Sequence, residues 1–582
     1  MQECLEMFGV LIEEKIFASI DLYFAKALTK DLDEQEKKSV LFLLAYLLLL
    51  DRNGHLCLQL KEGKLYPPAS CFTSNGERES FLEEQIKKGI EQLPKKLVQE
   101  VFVGKKAAYI KPLCRFKESV YLQKNWLLEI EFVSALEKLL KESPKMALPS
   151  SLSLSPLLNA EQRKAVLESL QSSFSLIAGG PGTGKTFTAV ELLRTFLDSL
   201  PEDKKNRIQI KVAAPTGKAA AHLQKNINQL LSVFSEQIEC GTLHSLLGIG
   251  WNGKAKSQRK AFVADLLLVD EASMIDAKLF KELLFKMRGG GRLILMGDPH
   301  QLPPVESGGF FADLIALAPD LELPCTLLKE CLRTEKKELL EFAKAFILEE
   351  KTKILTSPFV HFFKPEDPKS VLEQAWQKAK EFFDPEVSCL EDPDLYLKKM
   401  DRFRILSCLR KGLLGVESLN AFLLKRFLEG LKEEDLLAVP ILIQSNEHSL
   451  ALMNGDTGVL IAKVSSLKAG YYTSEDTAYF PNKEEGGASR KLSALLLPSF
   501  ELGYALSVHK SQGSEYDSVL VIAPSGSEAF GKEVLYTAVT RAKKELVLLT
   551  EKEVLSCLIG KSSKKNSGLA SIHFALQSAI DT

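Results

Sequence analysis

The spacing of apolar positions along the chain divides it into stretches of different character. Residues 1 to about 145 carry helix-period patterns and two strand candidates, His55–Leu60 and Ala108–Ile110, where alternation and β-propensity coincide. The most apolar run, Val40–Leu50, is about half of the roughly 20 residues a membrane span needs, so it predicts a buried helix. Glu142–Pro156 is rich in Ser and Pro with little charge, which predicts a linker. Beyond it the pattern changes to short apolar runs separated by helical segments. Phe174–Ala178, Ile208–Ala213, Leu266–Val269 and Leu293–Met296 form one group; Tyr504–Val508, Val519–Ile522 and Leu546–Leu549 form another. Continuous apolar runs of strand length fit parallel sheets covered on both faces. Two α/β sheets are therefore expected, with a mainly helical stretch at about 340–435 and short strand and turn signals at 438–500.

The chemistry sits at the ends of these runs. Gly179-Gly180-Pro181-Gly182-Thr183-Gly184-Lys185-Thr186 follows a strand and opens a helix, the setting in which glycines let backbone N–H groups close around phosphate oxygens. In such a loop Lys185 reaches the β- and γ-phosphates of ATP and Thr186 ligates Mg2+. Asp270 and Glu271 end the run Leu266–Val269, at the sheet edge where α/β folds bind ligands. Asp270 is expected to hold the metal, Glu271 to orient and deprotonate the attacking water, and Gln301, in Gly297-Asp298-Pro299-His300-Gln301, to bond γ-phosphate and water.

Composition adds exclusions. The 582 residues carry a formal net charge of -1, so any nucleic-acid contact must come from local patches and not from a broad basic surface. The ten cysteines include no C-x-x-C pair, which points to free thiols in a reducing cytoplasm and not to a zinc or iron–sulfur site. No basic segment followed by an apolar stretch opens the chain, so neither secretion nor a membrane role is expected. Pro393-Asp394 is the one fragment reminiscent of a nuclease site; no Asp/Glu-x-Lys strand follows it, and it reads as a turn.

The ordered set of motifs resembles a superfamily 1 helicase. Leu158-Asn159-Ala160-Glu161-Gln162 is similar to the element in which a glutamine reads adenine, which implies a nucleotide contact for Gln162. Ala214–Ala220, Thr242–Gly248, Val508–Glu515 and Tyr536–Ala542 complete the series. Within that class, Ala213–Ala220, the Thr-x-His segment, Leu452–Gly458, Leu409–Asn420 and Ser567–Ala570 are similar to the RecD family, the alpha subunits of exodeoxyribonuclease V. The likeness spans roughly 155–575 and extends faintly into the first 145 residues around Leu122 and Trp126. Where many relatives place an aromatic beside the arginine of the fourth motif, this chain has Cys331-Leu332-Arg333-Thr334.

The resemblance implies an α/β chain with two RecA-like P-loop domains, at 156–335 and 336–582. It also implies a small β-containing, SH3-like insertion at about 438–500 and a mainly helical N-terminal domain, 1–145, for partner docking. ATP would lie between the motor domains, with Arg333 and Arg541 arriving as γ-phosphate fingers. Pro215, Thr216, Lys218, Thr242, His244, His509, Lys510, Ser511, Gln512 and Thr537 would contact a single strand, through phosphates and base faces. The implied activity is ATP-dependent 5′-to-3′ unwinding from DNA ends within a heterotrimer with RecB and RecC, with cleavage left to a partner. A self-sufficient RecD-like helicase and a non-motor DNA-end-binding subunit are the alternatives.

Overall fold

The computed structural model describes residues 2–73, 75–103, 110–149, 152–205, 207–231, 237–249, 262–287, 289–331, 337–383, 390, 392–482 and 487–580. Four sheets organise them. In the first parallel sheet the strands lie in the order Cys325–Leu328, Phe174–Gly179, Arg292–Gly297, Leu266–Val269, Ile210–Ala214, Ile238–Thr242. Every neighbouring pair is parallel, so all the strands deliver their carboxyl ends to one edge. The central strands are buried on both faces because helices cover both, which is why they read as unbroken apolar runs.

The second parallel sheet has the order Val360–Phe362, Ala542–Thr550, Tyr516–Ala523, Phe403–Ser407, Ala505–Ser507. Phe403–Ser407 falls inside the stretch expected to be mainly helical. The cause is Arg404, which interrupts the apolar run yet is fully buried. Its guanidinium donates to Gly503 O (2.5 Å) and Met400 O (3.1 Å) and lies 5.2 Å from the Tyr516 ring centroid.

An antiparallel sheet, in the order Arg490–Ser493, Thr477–Phe480, Thr457–Lys463, Leu436–Ile443, Phe500–Leu502, leaves and re-enters the second parallel sheet. Pro393 starts a helix, Pro393–Met400, capped by Asp392, so the expected turn is a helix N-terminus; proline is preorganised for that position.

The first 145 residues contain more sheet than the sequence suggests. Lys64–Tyr66, Cys57–Lys61, Ser119–Leu122, Leu113–Phe116 and Val98–Glu100 form a five-stranded sheet beside the buried helix Glu34–Arg52. Of the candidate Ala108–Ile110, two residues lie outside those described, and Ile110 is exposed and in no strand. This region shares a core with the first parallel sheet. Helix Gln123–Lys141 packs on helix Ala277–Lys286, and Phe132 sits 5.2 Å from Phe280 and 4.2 Å from Phe310. Nor is Glu142–Pro156 a free linker. Glu142 accepts the Gly289 and Gly290 N–H groups (3.0 and 3.1 Å), and Arg292 donates to Met146 O (2.7 Å).

Asn566–Gly568 ties the far end of the chain to this region. Asn566 exchanges bonds with His55, Leu56, Cys57 and Tyr66, Ser567 donates to Asp313 (2.6 Å), and Gly568 N–H donates to the buried Glu129 (2.9 Å). No helix among the described residues is long and apolar enough to cross a membrane.

Candidate nucleotide site and its two flanking sheets

Strand Phe174–Gly179 ends the phosphate loop's approach, and helix Lys185–Asp198 begins directly after it. The reversal requires left-handed backbone at Gly182 (φ 73°) and Gly184 (φ 77°), the latter being the helix N-cap. A Cβ at Gly179 would come within 2.6 Å of Thr183 Oγ1, so the loop closes only around glycine. Thr183 Oγ1 donates to Gly180 O (2.8 Å), while Lys185 Nζ donates to Gly179 O (2.7 Å) and Gly180 O (3.0 Å). The lysine thus spans the mouth of a cradle lined by helix-start N–H groups, the arrangement that favours anions.

Gln162 is the third residue of helix Ala160–Gln171 and forms a reciprocal cap with Asn159. Its Oε1 accepts Asn159 N–H (3.1 Å), its Nε2 donates to Thr183 O (3.4 Å), and it is fully buried. The amide thus braces the loop from below through Thr183.

Asp270 and Glu271 stand at the carboxyl end of Leu266–Val269, beside the loop. Asp270 Oδ1 accepts the Glu271 N–H (2.8 Å), and Glu271 adopts a left-handed backbone, φ 51°, uncommon for a residue with a side chain. Glu271 Oε2 is buried without a hydrogen-bond partner. Burial pushes the Glu271 carboxyl up to about 7, with the Asp270 charge adding and Arg541 and Lys185 opposing. Burial also raises Asp270, opposed first by Lys185. Two carboxylates that resist ionising together, next to a lysine and a glycine cradle, fit a phosphate-bound divalent cation shared with Thr186.

The facing side comes from the second sheet. Helix Gly531–Val539 places Tyr536 under the loop: its hydroxyl donates to Asp298 Oδ2 (2.8 Å) and lies 3.3 Å from where a Gly180 Cβ would be. Thr537 Oγ1 accepts the Leu302 N–H (2.9 Å), and Gln512 Nε2 donates to Leu302 O (3.4 Å). Arg541 is buried just beyond, donating to Thr537 O (3.1 Å) and Ser514 O (3.2 Å). Gln301 is 5% exposed and donates through Nε2 to Asp298 Oδ2 (3.4 Å). Arg333 lies outside the described residues. The structure therefore brings Lys185, Thr186, Asp270, Glu271, Gln301 and Arg541 around one cleft. Asp298 and Tyr536 belong there too; sequence reasoning quoted their motifs but gave neither a role. The position of Tyr536, five residues before Arg541 on a strand-flanked helix, was the available signal.

The segments expected to meet a single strand divide into two sets. Thr216 and Thr242 follow adjacent strands and cap the helices Gly217–Leu230 and Leu243–Leu247. Pro215 and Lys218 are half-buried, His244 is exposed, and Lys218 Nζ lies 5.9 Å from the Tyr516 ring centroid. His509 is half-buried against Phe530, and Lys510 Nζ pairs with Glu501 (2.5 Å). Ser511, Gln512 and Thr537 are buried, and their polar groups bond protein atoms: Ser511 Oγ donates to Val508 O (2.7 Å). Gln512 and Thr537 join the two sheets through Leu302. Met453, at the tip of the antiparallel sheet, packs on the first motif, its Cβ 3.0 Å from where a Gly217 Cβ would be.

Two parallel sheets facing each other across a glycine-rich phosphate loop define a nucleotide-binding motor of the superfamily 1 helicase class. Comparison with known proteins narrows this. The model of an AAA domain matches residues 157–356, that of the UvrD-like helicase C-terminal domain 502–549, and that of the RecBCD enzyme subunit RecD N-terminal domain 13–121. RecBCD enzyme subunit RecD of Mycobacterium tuberculosis is 30% identical over 77% of this chain and 79% of its own length. That of Haemophilus influenzae is 28% identical over 97% of this chain and 98% of its own. The ATP-dependent RecD2 DNA helicase of Deinococcus radiodurans is 28% identical over 66% of this chain but 48% of its own length. A crystal structure of Bacteroides Pif1 bound to ssDNA aligns over 73% of this chain and 98% of that one, at 16% identity and a TM-score of 0.41. The chain belongs to the RecD family.

Proposed function

We propose that this chain is an ATP-dependent 5′-to-3′ DNA helicase, working as the RecD subunit of a RecBCD-type complex with RecB and RecC on DNA ends. The observation that carries the motor reading is the meeting, at one cleft, of Lys185, Asp270 and Glu271 from one sheet with Arg541 and Tyr536 from the other. Lys185 would exchange its bonds to Gly179 O and Gly180 O for phosphate oxygens, and Thr186 and Asp270 would hold Mg2+. The metal supplies charge neutralisation on the terminal phosphates. Glu271, its carboxyl raised to about 7 by burial, is placed in its ionised form to accept a proton from the attacking water, and Arg541 to stabilise charge on the transferring group. Gln162 supports the nucleotide indirectly, through Thr183.

Strand contact is assigned to the loops carrying Pro215, Thr216, Lys218, Thr242, His244, His509, Lys510 and Ser511; Gln512 and Thr537 act at the seam between sheets. Residues 1–145 serve as the partner-docking part, built onto the first motor sheet. The likeness to RecD subunits over almost the whole of this chain, 97% of it for that of Haemophilus influenzae, supports this reading. Lys185→Ala in the full chain should abolish single-strand-stimulated ATP hydrolysis and leave its thermal transition in place. Retained hydrolysis would overturn the motor reading. Purification of the chain alone, with its mass and unwinding measured, separates an obligate subunit from a self-sufficient motor.

A further inference from the structure

Asp298 is fully buried at the end of strand Arg292–Gly297 and uses both oxygens. Oδ1 accepts the His300 N–H (3.0 Å); Oδ2 accepts Tyr536 Oη–H (2.8 Å) and Gln301 Nε2–H (3.4 Å). A carboxylate can only accept, so the Gln301 amide has one orientation available: Nε2 faces Asp298, and Oε1 is the end left over. Oε1 is buried and has no hydrogen-bond partner. A free carbonyl oxygen suits a donor. Water is a donor, whereas a γ-phosphate oxygen is another acceptor. Gln301 is thus preset to hold the attacking water by accepting its hydrogen at Oε1.

Tyr536 brings this orientation under the control of the other sheet. Among the described residues it is the one group from the second sheet bonded to Asp298, and it sits beside Gly180 of the phosphate loop. We propose that the Tyr536–Asp298 hydrogen bond is a positioning relay: cleft closure seats the Tyr536 hydroxyl on Asp298, which fixes Gln301 for hydrolysis, and cleft opening releases it. Asp298 and Tyr536 are positioning residues that act through Gln301. The inference rests on the ATPase reading above and extends it to how hydrolysis is tied to domain position.

The test is a double-mutant cycle on the full chain, following single-strand-stimulated ATP hydrolysis. Tyr536→Phe, which removes only the hydroxyl, should lower kcat about 10- to 100-fold, the scale of one bond to a charged group, with KM for ATP changed less than about threefold. Gln301→Ala should lower kcat similarly, and the double variant should be no worse than Gln301→Ala alone, because both remove the same function. Asp298→Asn provides a second route to the same non-additivity should Tyr536→Phe fail to fold. Additive losses in both cycles, or wild-type kcat in folded Tyr536→Phe, overturn the relay while leaving the ATPase reading standing. If Gln301→Ala is fully active where Lys185→Ala is dead, the role of Gln301 itself is wrong and the relay falls with it.

Discussion

Phe132, on the helix Gln123–Lys141, lies 4.2 Å between ring centroids from Phe310, the first residue of the helix Phe310–Leu317 that follows the strand Arg292–Gly297. The N-terminal region and the motor therefore share one core, with Phe280 completing the aromatic cluster. Phe132→Ala should destabilise the fold by about 3–5 kcal/mol, as expected when a buried aromatic leaves a cavity. Urea denaturation checks this. Deleting residues 1–141 should give an aggregating chain, since Phe280 and Phe310 would be uncovered. A soluble, cooperatively folding truncation would contradict the shared core.

A Cβ on Gly568 would stand 1.7 Å from the Tyr121 hydroxyl and 3.1 Å from Glu129. Gly568→Ala should cost about 1–3 kcal/mol through forced displacement. The double variant Gly568→Ala/Tyr121→Phe should recover part of it, read as a thermal shift.

Stability should depend on pH through Glu129. Burial pushes its carboxyl up to about 8, despite the Gly568 N–H bond and the neighbouring Tyr121 hydroxyl, which favour ionisation. The folded state therefore holds a proton that the unfolded chain releases near 4.5. The stabilisation is complete below that value and is lost as pH rises toward 8, at about 1.4 kcal/mol per unit of difference. Asp313, raised by burial to about 6, adds to the lower part of the window. Glu129→Gln should flatten the profile between pH 5 and 8 in a urea series; an unchanged slope would assign the dependence elsewhere.

Lys510 is 30% exposed and paired with Glu501. If it contacts a backbone phosphate, Lys510→Ala should weaken single-strand affinity and reduce the slope of log K against log salt by about 0.7. An unaltered slope would remove it from the interface.

Arg404→Leu should cost about 1–3 kcal/mol for each carbonyl left without a donor, at Gly503 and Met400, measured by chemical denaturation. The same residue marks where the sequence stops being readable. A parallel strand is recognised by unbroken apolar character, so Leu266–Val269 was found to the residue. Phe403–Ser407, with a charge in second place, was not. Its arginine reaches the Gly503 carbonyl, 99 residues further along the chain, and no local pattern reports that. The phosphate loop and Asp270–Glu271 were legible because each lies in one short segment with its own backbone requirement. Asp298 and Tyr536 were not, because their bond joins residues from different sheets. Thr537, Ser511 and Gln512 were legible as motif residues but not as buried ones; which polar group faces protein and which faces a groove is decided by how two sheets meet.

The segment Asn566–Gly568 has a further consequence, for synthesis on the ribosome. The N-terminal region emerges first, yet Glu129 and the Cys57 carbonyl each gain a donor from residues made more than four hundred positions later. Through most of translation that region lacks the bond from Gly568 to Glu129 and the bond from Asn566 to the Cys57 carbonyl. Its final closure reports that the whole motor has been made, so a chain interrupted before Asn566 carries an unfinished N-terminal region as the mark of its own incompleteness.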